Sequence, residues 1–180
     1  MKAASLSGAW KLYMHPEDGA MPADPAAMLA AKWDCIDAAV PGNVELDIWR
    51  AGLGPDPFFG NAIYQYRKYE FYQWWFLRDF EVPELKETGS YLLRLEGVDC
   101  FATLWLNGEE LGSCGDMLVE HEFDATGKLR AGKNGIALRI RSSMNEARRK
   151  EYPVNLFGGE RSDEIAWLRT KKEELDEGRE

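Results

Sequence analysis

The sequence is poor in the residues that build metal centres and disulfide frameworks. Its three cysteines are Cys35, Cys100 and Cys114, and neither their odd number nor their spacing fits a disulfide framework or a zinc site. The two histidines, His15 and His121, have no paired ligands nearby in sequence. We therefore expect free thiols of a reducing compartment and no metal site.

The chain also lacks strong positive charge and long apolar runs. It carries 22 basic and 31 acidic residues, a formal charge of −9, and its one dense basic cluster is the short 148–150. A surface for nucleic acid or anionic membrane needs a larger basic patch, and a membrane span needs about 18 apolar residues. No apolar signal region precedes Trp10. We expect a cytoplasmic protein without nucleic-acid or membrane partners, a periplasmic or secreted parent being the alternative.

The clearest positive signal is a β-hairpin at the centre of the chain. Residues 101–106 alternate between the two faces of a strand, and Asn107-Gly108 follows at once. Asn-Gly favours the type I′ turn, since both central residues need a positive φ. A second strand, 91–96, lies just upstream and is expected to pair nearby.

Alternating apolar residues between turn signals predict further strands, and short capped runs predict helices. Asn43 is the expected N-cap of a helix at 44–51, a second helix is expected at 145–151, and 15–27 is expected to be loop. The sequence predicts an all-β fold, a jelly-roll β-sandwich with short helices formed by residues 1–169, followed by a charged tail at 170–180. The remaining strands are expected at 8–14, 33–40, 75–82, 118–124, 135–141 and 165–168.

Four segments in consistent order resemble the N-terminal sugar-binding domain of glycoside hydrolase family 2, in its β-mannosidase-like branch. The first, at 39–58, contains the Val-Pro-Gly helix and the Pro-Asp-Pro loop, and the second, at 74–83, is the aromatic strand. The third, at 95–108, contains Leu-Glu-Gly-Val-Asp and Ala-Thr-Leu-Trp-Leu-Asn-Gly, and the fourth, at 123–134, begins with Phe-Asp-Ala-Thr. The resemblance implies a galactose-binding-like jelly roll that precedes an immunoglobulin-like domain and a catalytic (β/α)₈ barrel. In such enzymes two glutamates of the barrel do the chemistry and no cofactor is generally needed.

The 180 residues leave no room for that barrel, which needs about 250 residues. Asn145-Glu146 is similar to the family's Asn-Glu acid/base dipeptide, but it follows a sandwich strand, so we predict no catalytic residue in this chain. The family's Gly-Trp-Asp-Trp-Gly segment is absent after 167–169, where Thr170-Lys171-Lys172 stands instead.

The best candidates for ligand contact lie on a loop with two prolines, at 54–61. Phe58, Phe59 and Asn61 combine apolar rings with a hydrogen-bonding amide, which suits either a sugar or packing against a neighbouring domain. Trp74 and Trp75 are adjacent, so in a strand they point to opposite faces. We expect one in the core and the other at the surface, facing a partner domain or a sugar ring.

Other large side chains are expected to pack or to pair. Trp10, Trp33 and Trp105 are predicted core residues, and Trp49 is expected to close its helix onto the sheet. Arg139 and Arg141, on one strand face, are expected to pair with surface carboxylates such as Glu96.

We therefore expect a non-catalytic domain that packs on a catalytic barrel and helps to wall its substrate pocket. Its partners would be carbohydrate, bound weakly or jointly with the barrel, and the other domains of the parent enzyme. A free-standing carbohydrate-binding module and a protein-interaction domain of the same fold remain alternatives. We predict mannose and not galactose as the sugar by analogy with the family alone.

Overall fold

The computed structural model describes residues 3–19, 21–86 and 89–150. These residues form eight strands, three α-helices and one 3₁₀ segment. The strands are β1 Gly8–Pro16, β2 Asp34–Val40, β3 Tyr72–Val82, β4 Leu92–Leu95, β5 Ala102–Leu106, β6 Glu109–Cys114, β7 His121–Asp124 and β8 Gly132–Ile140. The helices are α1 Pro25–Ala30, α2 Val44–Arg50 and α3 Ser143–Arg149, and the 3₁₀ segment is Ala62–Phe71. The strand expected at 165–168 and the tail at 170–180 lie outside the described residues.

The strands form two antiparallel sheets, as the all-β prediction requires. The larger has six strands in the order β2-β1-β3-β8-β5-β6, and the smaller pairs β4 with β7. The segment 91–96 therefore does not pair beside the central hairpin, because its strand β4 belongs to the other sheet. The β-sandwich prediction is confirmed, and this pairing is a correction to it.

The central strand β3 places apolar side chains on both faces of the large sheet. Trp74 packs with Leu104 and Phe123, between the sheets, whereas Trp75 packs with Trp105 and Met28 on the opposite face. Both indoles are buried, at 8% and 0% exposure, so the expectation that one lies at the surface is wrong. The cause is α1, whose Met28 covers the second face.

Helix α1 lies partly in the stretch expected to be loop, and that expectation is wrong as well. Asp24 caps it by accepting a hydrogen bond from the Ala27 amide at 2.8 Å, and Pro25 occupies its first turn. Asp followed by Pro is a recognised helix start. The surrounding proline and alanine obscured that signal.

The central hairpin is confirmed, with Asn107 and Gly108 at φ +54° and +87°. The Asn107 side chain also reaches beyond its own turn. Its amide donates to the Lys128 carbonyl and to Asn134 Oδ1, both at 2.9 Å, and its oxygen accepts from the Gly135 amide at 3.0 Å. The turn is thereby tied to the loop that leads into β8.

Helix α2 begins where it was predicted to begin, but Trp49 lies on a different face from the one expected. Asn43 caps the helix by accepting from the Leu46 amide at 3.0 Å. Ile48 and Asp47 form its buried face, and Trp49 points outward with 40% of its surface exposed. The expectation that Trp49 closes the helix onto the sheet is therefore wrong.

Arg141, just after β8, pairs with a carboxylate as expected, although with Glu146 and not with Glu96, whereas Arg139 of β8 lies over two indole rings. The Arg139 guanidinium lies over Trp75 and Trp105, at 5.5 Å and 5.3 Å from their ring centroids, and Arg141 pairs with Glu146 at 2.8 Å. Burial lowers the pKa of Arg139, and the neighbouring Arg141 lowers it further. Within the described residues neither arginine is paired with Glu96, which follows β4 of the other sheet.

Of the tryptophans predicted to be core residues, Trp10 and Trp105 are buried. Trp33 is half-buried, stacks on His15 at 4.5 Å between centroids and packs against the cluster around Met28.

Candidate functional site

The loop between α2 and the 3₁₀ segment is held by its own backbone and by short-range caps. The Phe58 amide donates to Asp56 Oδ1 at 2.9 Å, and the Phe59 amide donates to the Asp56 carbonyl at 3.1 Å. Pro55 and Pro57 fix their own φ angles. The loop therefore has a defined conformation before it meets any partner.

Tyr66 clamps the base of this loop. Its ring is buried, and its hydroxyl donates to the Pro55 carbonyl at 2.5 Å. Burial raises the pKa of Tyr66, so the hydroxyl stays protonated and remains a donor at neutral pH. Gly54 allows this approach, because a Cβ there would lie 2.6 Å from the Tyr66 hydroxyl.

The side chains that the loop presents are unusually exposed for their type. Phe58 and Phe59 are 80% and 79% exposed, and Tyr64 is 65% exposed. Fully burying such a side chain is worth about 1.5–3 kcal/mol, so these rings contribute little to folding. We call the aromatic surface the set of exposed apolar side chains on α2, the loop and the start of the 3₁₀ segment: Trp49, Leu53, Phe58, Phe59, Ile63 and Tyr64.

Asn61 lies on the same stretch, exposed, with no hydrogen bond from its side chain to cap the 3₁₀ segment. The structure thus brings Phe58, Phe59 and Asn61 together on one exposed loop. Their contact with a ligand or a domain remains a prediction. Trp74 and Trp75, the other two candidates, offer no exposed ring face.

A groove of about 290 Å³ lies beside the aromatic surface. It combines two tyrosines and an isoleucine with carboxylates and a guanidinium: Glu45, Ile63, Tyr64, Tyr66, Arg67 and Glu70. Planar rings beside charged hydrogen-bonding groups can hold the apolar face and the hydroxyls of a sugar. Sequence reasoning missed Glu45 and Arg67, because only the fold brings α2 next to the 3₁₀ segment.

The glutamate of the Asn145-Glu146 dipeptide is engaged in ion pairs. Glu146 lies 2.8 Å from Arg141 and 2.7 Å from Arg149, and Asn145 is buried. Across the described part of the chain, no group of three His, Cys, Asp or Glu residues could hold a metal ion, and Cys35, Cys100 and Cys114 are free thiols. No helix there is long and apolar enough to cross a membrane.

A comparison with protein families decides what this domain is. The glycosyl hydrolase 2 galactose-binding domain-like family matches residues 17–176. The chain belongs to this family. The match confirms the predicted domain type, and the 180 residues do not include the catalytic barrel of such enzymes.

Curated relatives place the domain in the β-mannosidase-like branch. A probable β-mannosidase of Caenorhabditis elegans is 27% identical over 121 residues, which cover 66% of this chain and 13% of that protein. A mannosylglycoprotein endo-β-mannosidase of Lilium longiflorum is 32% identical over 123 residues, which cover 64% of this chain and 12% of that protein. The chain thus spans about an eighth of the length of these curated relatives.

Among solved structures, the β-D-mannosidase of Dictyoglomus thermophilum is similar with a TM-score of 0.68 and 32% identity. The match covers 90% of this chain and 18% of the Dictyoglomus chain.

Replacing Tyr66 by phenylalanine tests the clamp. We expect Tyr66→Phe to lower the free energy of unfolding by about 1 kcal/mol, since it removes one buried hydrogen bond. Amide exchange at 58–62 should also become faster. Urea unfolding and hydrogen–deuterium exchange measure both quantities. Tyr64→Phe, which removes an exposed hydroxyl, is the matched control, and equal effects of the two variants would contradict the clamp.

Proposed function

We propose that this chain is a non-catalytic domain of a β-mannosidase-type glycoside hydrolase, and that its aromatic surface seats against the rest of the enzyme. The observation that carries the proposal is the exposure of Phe58 and Phe59 on a loop that is already ordered. The small share of its relatives' length that the chain spans supports it too, since most of such an enzyme lies outside this domain.

The aromatic surface suits an interface with another domain because its loop is ordered before contact. Aromatic anchors near the centre of an interface supply most of its binding energy. A loop that is rigid before contact avoids the entropy of ordering on association. Tyr66 and the two prolines provide that rigidity, so less of the free energy gained by burying the rings would be lost to ordering the loop.

The absence of chemistry is the second part of the proposal. A retaining glycosidase places two carboxyl groups about 5–5.5 Å apart around the scissile bond. Glu146, the one residue in a catalytic-like dipeptide, is engaged by two arginines. The domain would instead shape the pocket from one side, with Phe58, Phe59 and Asn61 at the contact.

A chimaera tests both parts. The matching segment of the Dictyoglomus β-D-mannosidase is replaced by this chain, and hydrolysis of an aryl β-mannoside is measured before and after heating. We expect the chimaera to be active and the isolated chain to be inactive on aryl β-mannoside and β-galactoside. Phe58→Ser with Phe59→Ser should lower the midpoint of thermal inactivation of the chimaera by several degrees, because the contact loses its anchors.

The matched control is Leu118→Ser with Val119→Ser, two exposed apolar residues on the β6–β7 connection. Equal effects of the two double variants would contradict the proposal that the aromatic surface seats against the rest of the enzyme. If the isolated chain hydrolyses these substrates and a single carboxylate substitution abolishes the activity, the proposal that the domain is non-catalytic is wrong.

Direct sugar binding is the second candidate function, and the groove beside Tyr64 favours it. Titration calorimetry with mannose and mannobiose at millimolar concentration measures it. Saturable heat that Tyr64→Ala or Arg67→Ala in the groove reduces, or that Phe59→Ala or Asn61→Ala on the adjoining loop reduces, would support a carbohydrate-binding module. No heat at these concentrations would remove this candidate and leave the docking role intact.

A further inference from the structure

Glu17 is a buried carboxylate that the proposed function does not use. It follows β1 directly, and its side chain is 1% exposed. Its amide donates to the Phe71 carbonyl at 2.7 Å, where the 3₁₀ segment runs into β3. A buried carboxylate is costly unless it is hydrogen-bonded, so its partners indicate its role.

Those partners lie at α3, at the far end of the described chain. Glu17 Oε2 accepts from the Ser142 amide at 2.8 Å, and Oε1 lies 3.5 Å from Arg149 Nη2. The Glu17 carbonyl accepts from Asn145 Nδ2 at 3.3 Å. One residue thus contacts the beginning, the first turn and the last residue of the same helix.

The arrangement is a capping box in which one member comes from elsewhere in the chain. Ser142 caps α3, since its Oγ accepts from the Asn145 amide at 3.1 Å. In a capping box, the side chain three residues after the cap accepts from the amide of the cap residue. Here Asn145 holds that position but donates to Glu17, and the carboxylate of Glu17, 125 residues away in sequence, accepts from Ser142 instead.

Helix α3 needs such outside support. It has seven residues, and isolated helices shorter than about 12–15 residues are marginal in water. Its other contacts are ion pairs of Glu146 with Arg149 at 2.7 Å and Arg141 at 2.8 Å, the Arg148 guanidinium over the Phe71 ring at 4.8 Å, and a hydrogen bond from the Ser142 hydroxyl to the Glu70 carbonyl. Exposed ion pairs contribute little, whereas the Glu17 carboxylate is buried and hydrogen-bonded, so it can attach α3 firmly to the end of β1.

We propose that Glu17 is a latch that holds α3 against the sandwich, and that α3 opens as a unit of its own when the latch is released. Glu17 is a positioning residue in this device. It couples the end of β1 to the helix that ends at Arg149.

Hydrogen–deuterium exchange on Glu17→Gln tests the latch. Glutamine keeps the size and removes the charge, so the amides of 146–149 should exchange roughly tenfold faster or more, the factor that a charge-assisted hydrogen bond is worth. The amides of β3 and β8 should stay within about twofold of the wild-type rates. The matched control is Glu70→Gln, the same charge change on an exposed neighbour.

Two results would overturn the latch. In one, the α3 amides are unchanged by Glu17→Gln; in the other, the β3 and β8 amides accelerate by the same factor as α3. If the variant does not fold, native-state exchange of the wild-type protein in low urea decides. Opening of α3 with less urea dependence than β3 supports the latch, and exchange of both elements through one global unfolding contradicts it.

Discussion

The whole fold depends on two adjacent tryptophans near the start of its central strand β3. Successive residues of a strand face opposite sides, so Trp74 and Trp75 require cover on both faces of the six-stranded sheet. Trp75 stacks on Trp105 with 5.1 Å between centroids, and Arg139 lies over both rings. The small sheet, α2 and the 3₁₀ segment cover one face, and α1 covers the other.

This demand separates the aromatic residues into two groups. Those on the strands pack in the core, including both tryptophans of the pair. On the connection between α2 and β3, Tyr66 and Tyr69 turn inward against the core, whereas Phe58, Phe59 and Tyr64 do not. Phe58 and Phe59 therefore remain exposed at no cost to the core, which is why they are available for contact with another domain or a sugar.

What the sequence predicted well were features decided by neighbours in the chain. The Asn107-Gly108 turn, the Asn43 cap and the strand β8 depend on a few consecutive residues, and each is present. The loop at 54–61 follows the same rule, since its two prolines exclude regular structure around Phe58 and Phe59.

The errors arose where distant segments meet. Trp75 is covered by Met28 of α1, and β4 pairs with β7 in the other sheet. Trp49 points outward because Asp47 and Ile48 form the buried face of α2. The groove required α2 beside the 3₁₀ segment, which no local pattern reveals.

The central claim is that the core and the aromatic surface are energetically separate. Urea unfolding of the isolated chain tests it most directly, by comparing Phe58→Ser with Phe59→Ser in one protein against Trp75→Ala in another. The account predicts that the double loop variant stays within about 0.5 kcal/mol of wild type, whereas Trp75→Ala loses about 3–5 kcal/mol or fails to fold. A loss in the loop variant as large as that of Trp75→Ala would contradict it.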